Sequence, residues 1–202
     1  MKKTLILVLL AVVSAFMSCS QRHGNYWIEK GVILFDEPAP APGQQDMLGF
    51  AAAPIDTLRV GFIGLGMRGA DAVYRFTFLD GVKITALCDL LPERVVEAQR
   101  HLSDKGMPAA AEYDGEDGWK SLCERGDIDL VYICTPWQQH VDMAVYAMEH
   151  GKHVAVEVPA ATSVADCWRL VDTSERTRCH CMMLENCVYD FFELATLNMA
   201  QQ

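Results

Sequence analysis

The chain has 202 residues, 27 acidic against 17 basic side chains and a formal net charge of −10. Nucleic acid and anionic membrane surfaces repel such a chain, so neither is an expected partner. Its eight cysteines (Cys19, Cys88, Cys123, Cys134, Cys167, Cys179, Cys181 and Cys187) show no framework-like spacing, which argues against a disulfide scaffold.

The first residues read as an export signal. Lys2 and Lys3 precede an apolar stretch from Thr4 to Val13, and Ser14-Ala15-Phe16-Met17-Ser18-Cys19 supplies the small-residue exit. The apolar stretch is too short for a comfortable membrane span. Cys19 after Ser18 resembles a bacterial lipoprotein box. Residues 1–19 are therefore read as a signal peptide or lipoprotein signal, with the mature chain expected to begin at or near Cys19 and lipid on Cys19 as the sole membrane attachment. The chain is then periplasmic or anchored at the cell envelope. Residues 20–56 have no sustained periodicity, and Pro38-Ala39-Pro40-Ala41-Pro42-Gly43 is a stiff punctuation mark. The segment is expected to be an extended tether.

From Leu58 the pattern is repeated strand and helix. Apolar runs at Leu58–Ile63, Lys83–Cys88, Asp129–Cys134, His153–Val156 and Cys179–Leu184, with a short extended piece around Ala109–Tyr113, alternate with helix-compatible segments. The helices are expected near 67–78, 92–102, 118–124, 138–149, 164–177 and 189–202. Such alternation predicts an α/β fold with a doubly wound parallel sheet over residues 57–190. Residues 191–202 are expected to begin a second, α+β substrate domain that this chain does not contain, because crevices in open α/β sheets usually need another domain as lid.

The first strand closes on Gly64-Leu65-Gly66-Met67-Arg68-Gly69, and the second ends on Asp89, twenty residues beyond the last glycine. This strand–turn–helix–strand–acid context is what a dinucleotide fingerprint requires. Gly64 permits the tight turn, Gly66 lets backbone approach a pyrophosphate, and Gly69 lets the helix lie close on the strand. Asp89 can accept both hydroxyl protons of an adenosine ribose and would repel a 2′-phosphate, which favours NAD over NADP. Arg68 weighs the other way, since a guanidinium near the ribose accommodates a phosphate.

Three further strand ends carry unusual residues. Thr135-Pro136 is followed by Trp137, Gln138, Gln139 and His140. An indole there can pack on a nicotinamide or adenine face, and the His140 imidazole can hydrogen-bond a ribose or substrate hydroxyl. Glu157-Val158-Pro159 puts a carboxylate beside the expected nicotinamide ribose. Glu185-Asn186 follows the last strand, and Tyr189 lies a turn further on as a candidate for proton transfer. Cysteine chemistry is not expected to add a metal. On a strand Cys179 and Cys181 share one face while His180 points to the other, and Cys88 and Cys134 are small buried hydrophobes at strand ends.

Together Gly64 to Gly69, Cys134-Thr135-Pro136, His140, His150-Gly151-Lys152-His153-Val154 and Glu157-x-Pro159 resemble the glucose–fructose oxidoreductase / inositol dehydrogenase superfamily, from about Leu58 to Gln202. Ordinary members of it carry Glu-Lys-Pro at the third of these strand ends, with the lysine as proton relay; this chain has Val158. The variant Glu157-Val158-Pro159-Ala160-Ala161, with Trp137-Gln138-Gln139-His140 and Glu185-Asn186, resembles glycoside hydrolase family 109, whose bacterial members are NAD-dependent α-N-acetylgalactosaminidases. That resemblance implies cofactor contacts at Met67, Arg68, Asp89, Trp137, Gln138, Gln139, His140, Glu157, Val158 and Asn186. It also implies a substrate-site role for Tyr189, with the remaining catalytic groups beyond Gln202. The implied reaction passes hydride from the sugar's C3 to NAD⁺, removes the acidified C2 proton, eliminates the leaving group, adds water and returns the hydride. A terminal N-acetylgalactosamine on a glycan is the implied partner, with self-association as a further expectation. The alternatives are an NAD(P)-dependent sugar oxidoreductase of the same superfamily, or a catalytically inactive dinucleotide-binding module.

Overall fold

In a computed structural model, residues 22–24, 26–35, 38–187 and 190–201 are described. The leader, Cys19 and Tyr189 lie outside them. The chain divides into two compact units, Met1–Ala41 and Pro42–Gln202.

In the first unit, β1 (Arg22–His23), β2 (Tyr26–Glu29) and β3 (Val32–Phe35) form an antiparallel sheet in that order. This corrects the expectation of an extended tether. Tyr-Trp-Ile and Val-Ile-Leu-Phe are aromatic and β-branched runs, and the two residues that join β2 to β3 have positive φ, 51° at Lys30 and 80° at Gly31. That is the backbone a two-residue hairpin turn needs to match the strand twist. Tyr26 pairs with Phe35 across the two strands, their ring centroids 6.2 Å apart.

In the second unit, six strands alternate with helices: β4 (Leu58–Ile63), α1 (Met67–Phe76), β5 (Val82–Asp89), α2 (Pro92–Asp104), β6 (Ala111–Asp114), α3 (Gly118–Cys123), β7 (Leu130–Ile133), α4 (Trp137–Glu149), β8 (His153–Glu157), α5 (Val164–Thr177), β9 (Cys181–Leu184) and α6 (Phe191–Ala200). The sheet is parallel throughout, in the order β6-β5-β4-β7-β8-β9. The order reverses between β4 and β7, and this switch point is where an open α/β sheet opens a crevice beyond its carboxyl ends.

Alternate residues of the central strands feed two cores. Val60, Phe62, Ile84, Leu87 and Tyr132 pack with Val73 of α1 and Ala98 and Leu102 of α2. Ile63, Cys88, Val131, Ile133, Val154 and Val156 pack with Leu122, Ala144, Met148 and Leu170 from α3, α4 and α5. Both faces of the sheet are covered, which is why its strands read as near-continuous apolar runs. At the amino ends, Asp129 accepts from the Arg59 guanidinium at 2.8 and 2.5 Å and from the Arg59 backbone N–H at 2.9 Å.

Part of the segment expected to be a tether instead lies against this unit. Arg178, the left-handed cap of α5, donates to the carbonyls of Gln45 and Asp46 at 2.9 and 2.8 Å and stands over the Phe50 ring. The Gln44 amide donates to Glu175 at 2.5 Å. Among the described residues no helix is long and apolar enough to cross a membrane.

Candidate dinucleotide site

The chain leaves β4 at Gly64 with φ +87°, and a Cβ there would stand 2.7 Å from the Cys134 carbonyl carbon and oxygen. A Cβ on Gly69 would come 1.8 Å from the Gly64 carbonyl oxygen. Only glycine lets α1 sit directly on the turn. Gly66 is different. It is the N-cap of α1, makes no side-chain cap, and is followed by no acidic residue in the first turn. Among the described residues, the only group that a Cβ there would meet within 4 Å is the Arg94 guanidinium, at 3.8 Å. The first N–H groups of α1 thus have neither a helical partner nor a side-chain cap, and bare backbone borders the cleft. That cradle fits a pyrophosphate.

The cleft holds about 670 Å³ and is lined by Gly64, Gly66, Asp89, Arg94, Thr135 and Gln139, among others. Asp89, at the tip of β5, is only 6% exposed. Its Oδ2 accepts the Leu65 N–H at 2.6 Å and its Oδ1 the Leu91 N–H at 3.0 Å. Each oxygen keeps a lone pair for a ribose hydroxyl. The guanidinium beside it belongs to Arg94, 3.5 Å from Oδ1, a residue that the sequence reading passed over. Its position five residues beyond the acid, in the first turn of the next helix, is the signal that could have found it.

Arg68, expected near the same ribose, stands elsewhere. It donates to Asn186 Oδ1 and lies 3.8 Å from Glu157 Oε2. The end of β8, the end of β9 and the start of α1 therefore meet in one polar group of Arg68, Glu157 and Asn186. Glu157 is nearly buried, and the Tyr132 hydroxyl lies 3.5 Å from its Oε1. Burial is the main force pushing the Tyr132 pKa up, so that hydroxyl stays protonated and can act as a donor.

His140 differs from expectation in its orientation. The ring is 1% exposed, with Nδ1 2.9 Å from the Pro159 carbonyl oxygen and Nε2 2.7 Å from that of Thr135. Both nitrogens face main-chain carbonyls, so the imidazole ties the loop after β7 to the loop after β8 and aims neither nitrogen at the cleft. Val158, which precedes Pro159 through a cis peptide bond, is half-buried. Met67, Trp137 and Gln138 are exposed. Burial pushes the thiols of Cys88 and Cys134 up to about 12, so the sulfur lining the cleft stays protonated and poorly nucleophilic near neutral pH.

A parallel sheet of this order, a glycine turn, an uncapped helix start and a carboxylate on the second strand define an NAD-binding Rossmann domain. Residues 58–185 match the oxidoreductase family with the NAD-binding Rossmann fold, and the chain belongs to that family. Among curated relatives it is 62% identical over 166 residues to glycosyl hydrolase family 109 protein 1 of Bacteroides fragilis, covering 82% of this chain and 36% of that protein. It is 57% identical over 161 residues to an alpha-N-acetylgalactosaminidase of the same species, covering 80% and 38%. Among solved structures, an NAD-binding protein from Listeria innocua aligns with a TM-score of 0.59 at 25% identity, over 72% of this chain and 40% of that one. The chain spans less than two fifths of the length of these two curated relatives.

Proposed function

We propose that this chain is the cofactor-holding part of an NAD-dependent glycosidase that releases terminal α-linked N-acetylgalactosamine. The observation that carries the reading is the uncapped start of α1 at Gly66 opening on a cleft with Asp89 at its wall, in a chain 57% identical to an alpha-N-acetylgalactosaminidase. When bound, NAD supplies a hydride acceptor that can return what it takes, so the overall reaction is hydrolysis. The backbone after Gly66 holds the pyrophosphate and Asp89 the adenosine ribose. The Glu157 carboxylate, flanked by Arg68 and the Tyr132 hydroxyl, is the acceptor for hydroxyl protons of the nicotinamide ribose, and Asn186 fixes Arg68. Val158 is aliphatic where a proton-relaying ammonium would serve simple sugar dehydrogenation, which favours the hydrolase. Tyr189 is the proposed proton-transfer group toward the sugar. The leader and Cys19 direct the protein out of the cytoplasm, with lipid as its membrane attachment; intact-mass measurement of the membrane fraction tests this, and an unprocessed Met1 overturns it.

The activity is tested by joining residues 1–202 to the remaining length of the Bacteroides fragilis alpha-N-acetylgalactosaminidase and supplying NAD⁺ with an aryl α-N-acetylgalactosaminide. Aryl release without accumulating NADH is expected. Stoichiometric NADH with an oxidised sugar would instead make the protein a sugar oxidoreductase. A hybrid that binds NAD⁺ but does neither overturns the catalytic assignment.

A further inference from the structure

The segment that precedes the parallel sheet is seated on it through a turn that two histidines hold. Gln44, Met47 and Phe50 are half-buried at intervals of three, while the residues between them are exposed, so one side of the segment is seated. The Gln44 amide donates to Glu175 at 2.5 Å. Met47 lines an apolar groove of about 410 Å³ with Leu170, Cys181 and Met183. The Phe50 ring lies 5.0 Å from the ring of His180 and 4.4 Å from the Arg178 guanidinium, which also donates to the Gln45 and Asp46 carbonyls. Arg178 and His180 both belong to the turn 178–180 between α5 and β9.

That turn is fixed from β8. His153 Nδ1 accepts the His180 backbone N–H at 2.9 Å, with the two rings 5.1 Å apart. Nδ1 accepts only while it carries no proton. Arg178 holds a φ of 55°, a conformation that a residue with a side chain keeps only where its surroundings impose it. The bond to His153 is one such constraint, and a proton on Nδ1 would set a donor against a donor. The groups facing His153 are His180, from the lead-in to β9, and Asp129, from the turn before β7. Burial first, and then His180, lowers the His153 pKa against the pull of Asp129. The Asp129 carboxylate is already engaged by Arg59 and lies within reach of the Lys152 charge. Arg178 adds a fixed positive charge at the Phe50 ring. With the folded value lowered, the stability that the neutral ring contributes is whole above about pH 6.5 and is lost as pH falls through the folded value.

We propose that residues 44–50 form an acid-released strap. Protonation of His153 breaks its bond to the His180 N–H, the turn 178–180 relaxes, and Phe50 and the Gln45 and Asp46 carbonyls lose their anchors together. Release withdraws Met47 from the groove between α5 and β9.

The test is hydrogen–deuterium exchange of the 202-residue chain between about pH 7.5 and about pH 5, corrected for the intrinsic exchange rate at each pH. The Leu48 and Phe50 amides are hydrogen-bonded within the strap. Their protection is expected to fall about tenfold or more on acidification of the native chain. It should fall less than about threefold in His153→Asn, whose side-chain oxygen accepts the same N–H and does not titrate. Amides of β4 and β5 should keep their protection in both, as the control for the fold. The midpoint of the native loss is expected to coincide with the titration of His153, followed by NMR of histidine-labelled chain, below about pH 6.5. Equal protection at both ends of the range overturns the proposal, as does a His153→Asn chain that opens in acid like the native one. A midpoint more than about one pH unit from the His153 titration also overturns it, and if His153→Asn does not fold this midpoint decides alone. Equal loss from β4 and β5 would make the change global unfolding and overturn the strap.

Discussion

At the scale of single residues, three glycines that look alike in the fingerprint do different work. Gly69→Ala places a Cβ against the Gly64 carbonyl oxygen at 1.8 Å. The helix must shift, at an expected cost of about 3 kcal/mol or more in urea unfolding. Gly66→Ala makes only an ordinary contact with the Arg94 guanidinium, at 3.8 Å, among the described residues, and is expected to leave stability nearly unchanged while weakening NAD⁺ binding, because its methyl group faces the cradle. A Gly69→Ala protein as stable as the native chain would contradict this packing. Asp89→Ala removes the acceptor for ribose hydroxyls, and calorimetry is expected to show NAD⁺ affinity lower by about 1–3 kcal/mol. Unchanged affinity would remove Asp89 from the site. The fingerprint made Asp89 and the glycines legible. It did not reveal the direction of His140 or the partners of Arg68, because both depend on what the ends of β8 and β9 bring opposite them.

At the scale of elements, the loops beyond β7 and β8 are joined through one buried ring. His140→Ala removes the ring held between the Thr135 and Pro159 carbonyls, to one of which each imidazole tautomer donates, at about 1–3 kcal/mol if water does not replace that bond. Thermal unfolding should show the loss, and a melting temperature equal to the native one would mean that the tie contributes nothing. The amino ends of β4 and β7 are joined by charge. The Arg59 guanidinium, chiefly through its hydrogen bonds, holds the Asp129 carboxyl below the ordinary aspartate range, and Arg125 does the same to Asp127. A lowered folded-state value contributes stability that is present above the unfolded aspartate value of about 4 and is lost as pH falls through the folded value. Melts taken from about pH 6 down to about pH 2 should therefore fall less steeply at the acid end for Asp129→Asn than for the native chain. Identical slopes would show that the pair does not report on folding.

At the scale of the whole molecule, the described residues line the cleft from the carboxyl end of the sheet. Catalysis on a sugar requires the reacting carbon within about 3–3.5 Å of the nicotinamide, and Met67 and Trp137, at the starts of α1 and α4, are exposed among the described residues. These 202 residues by themselves are expected to bind NAD⁺ and to release no aryl group from an aryl α-N-acetylgalactosaminide. Measurable release would show these residues to be sufficient. Helix α6 also exposes Phe191, Phe192, Leu197 and Met199, an apolar surface expected to promote self-association at high concentration. Light scattering of the double variant Phe191→Glu, Phe192→Glu should return a smaller mean mass than the native chain; equal masses would assign association elsewhere.

What the sequence determined was local and periodic. Apolar runs of strand length alternate with helical spacing, and the turn chemistry between them specified the parallel sheet, its glycine turn and the acid on its second strand, since each depends on neighbours within a few residues. It also held a hairpin at Lys30-Gly31 that its surroundings disguised as a tether. Tertiary structure alone decided which side chains meet across the switch point. Arg68 comes to Asn186 over a separation of 118 residues, and Arg94 takes the place at Asp89 that Arg68 was expected to fill. His140 turns both nitrogens inward because two carbonyls from different loops lie within 3 Å of its ring. Side-chain direction at a strand end is set by packing from elements distant in the chain, and spacing along the sequence carries no record of it.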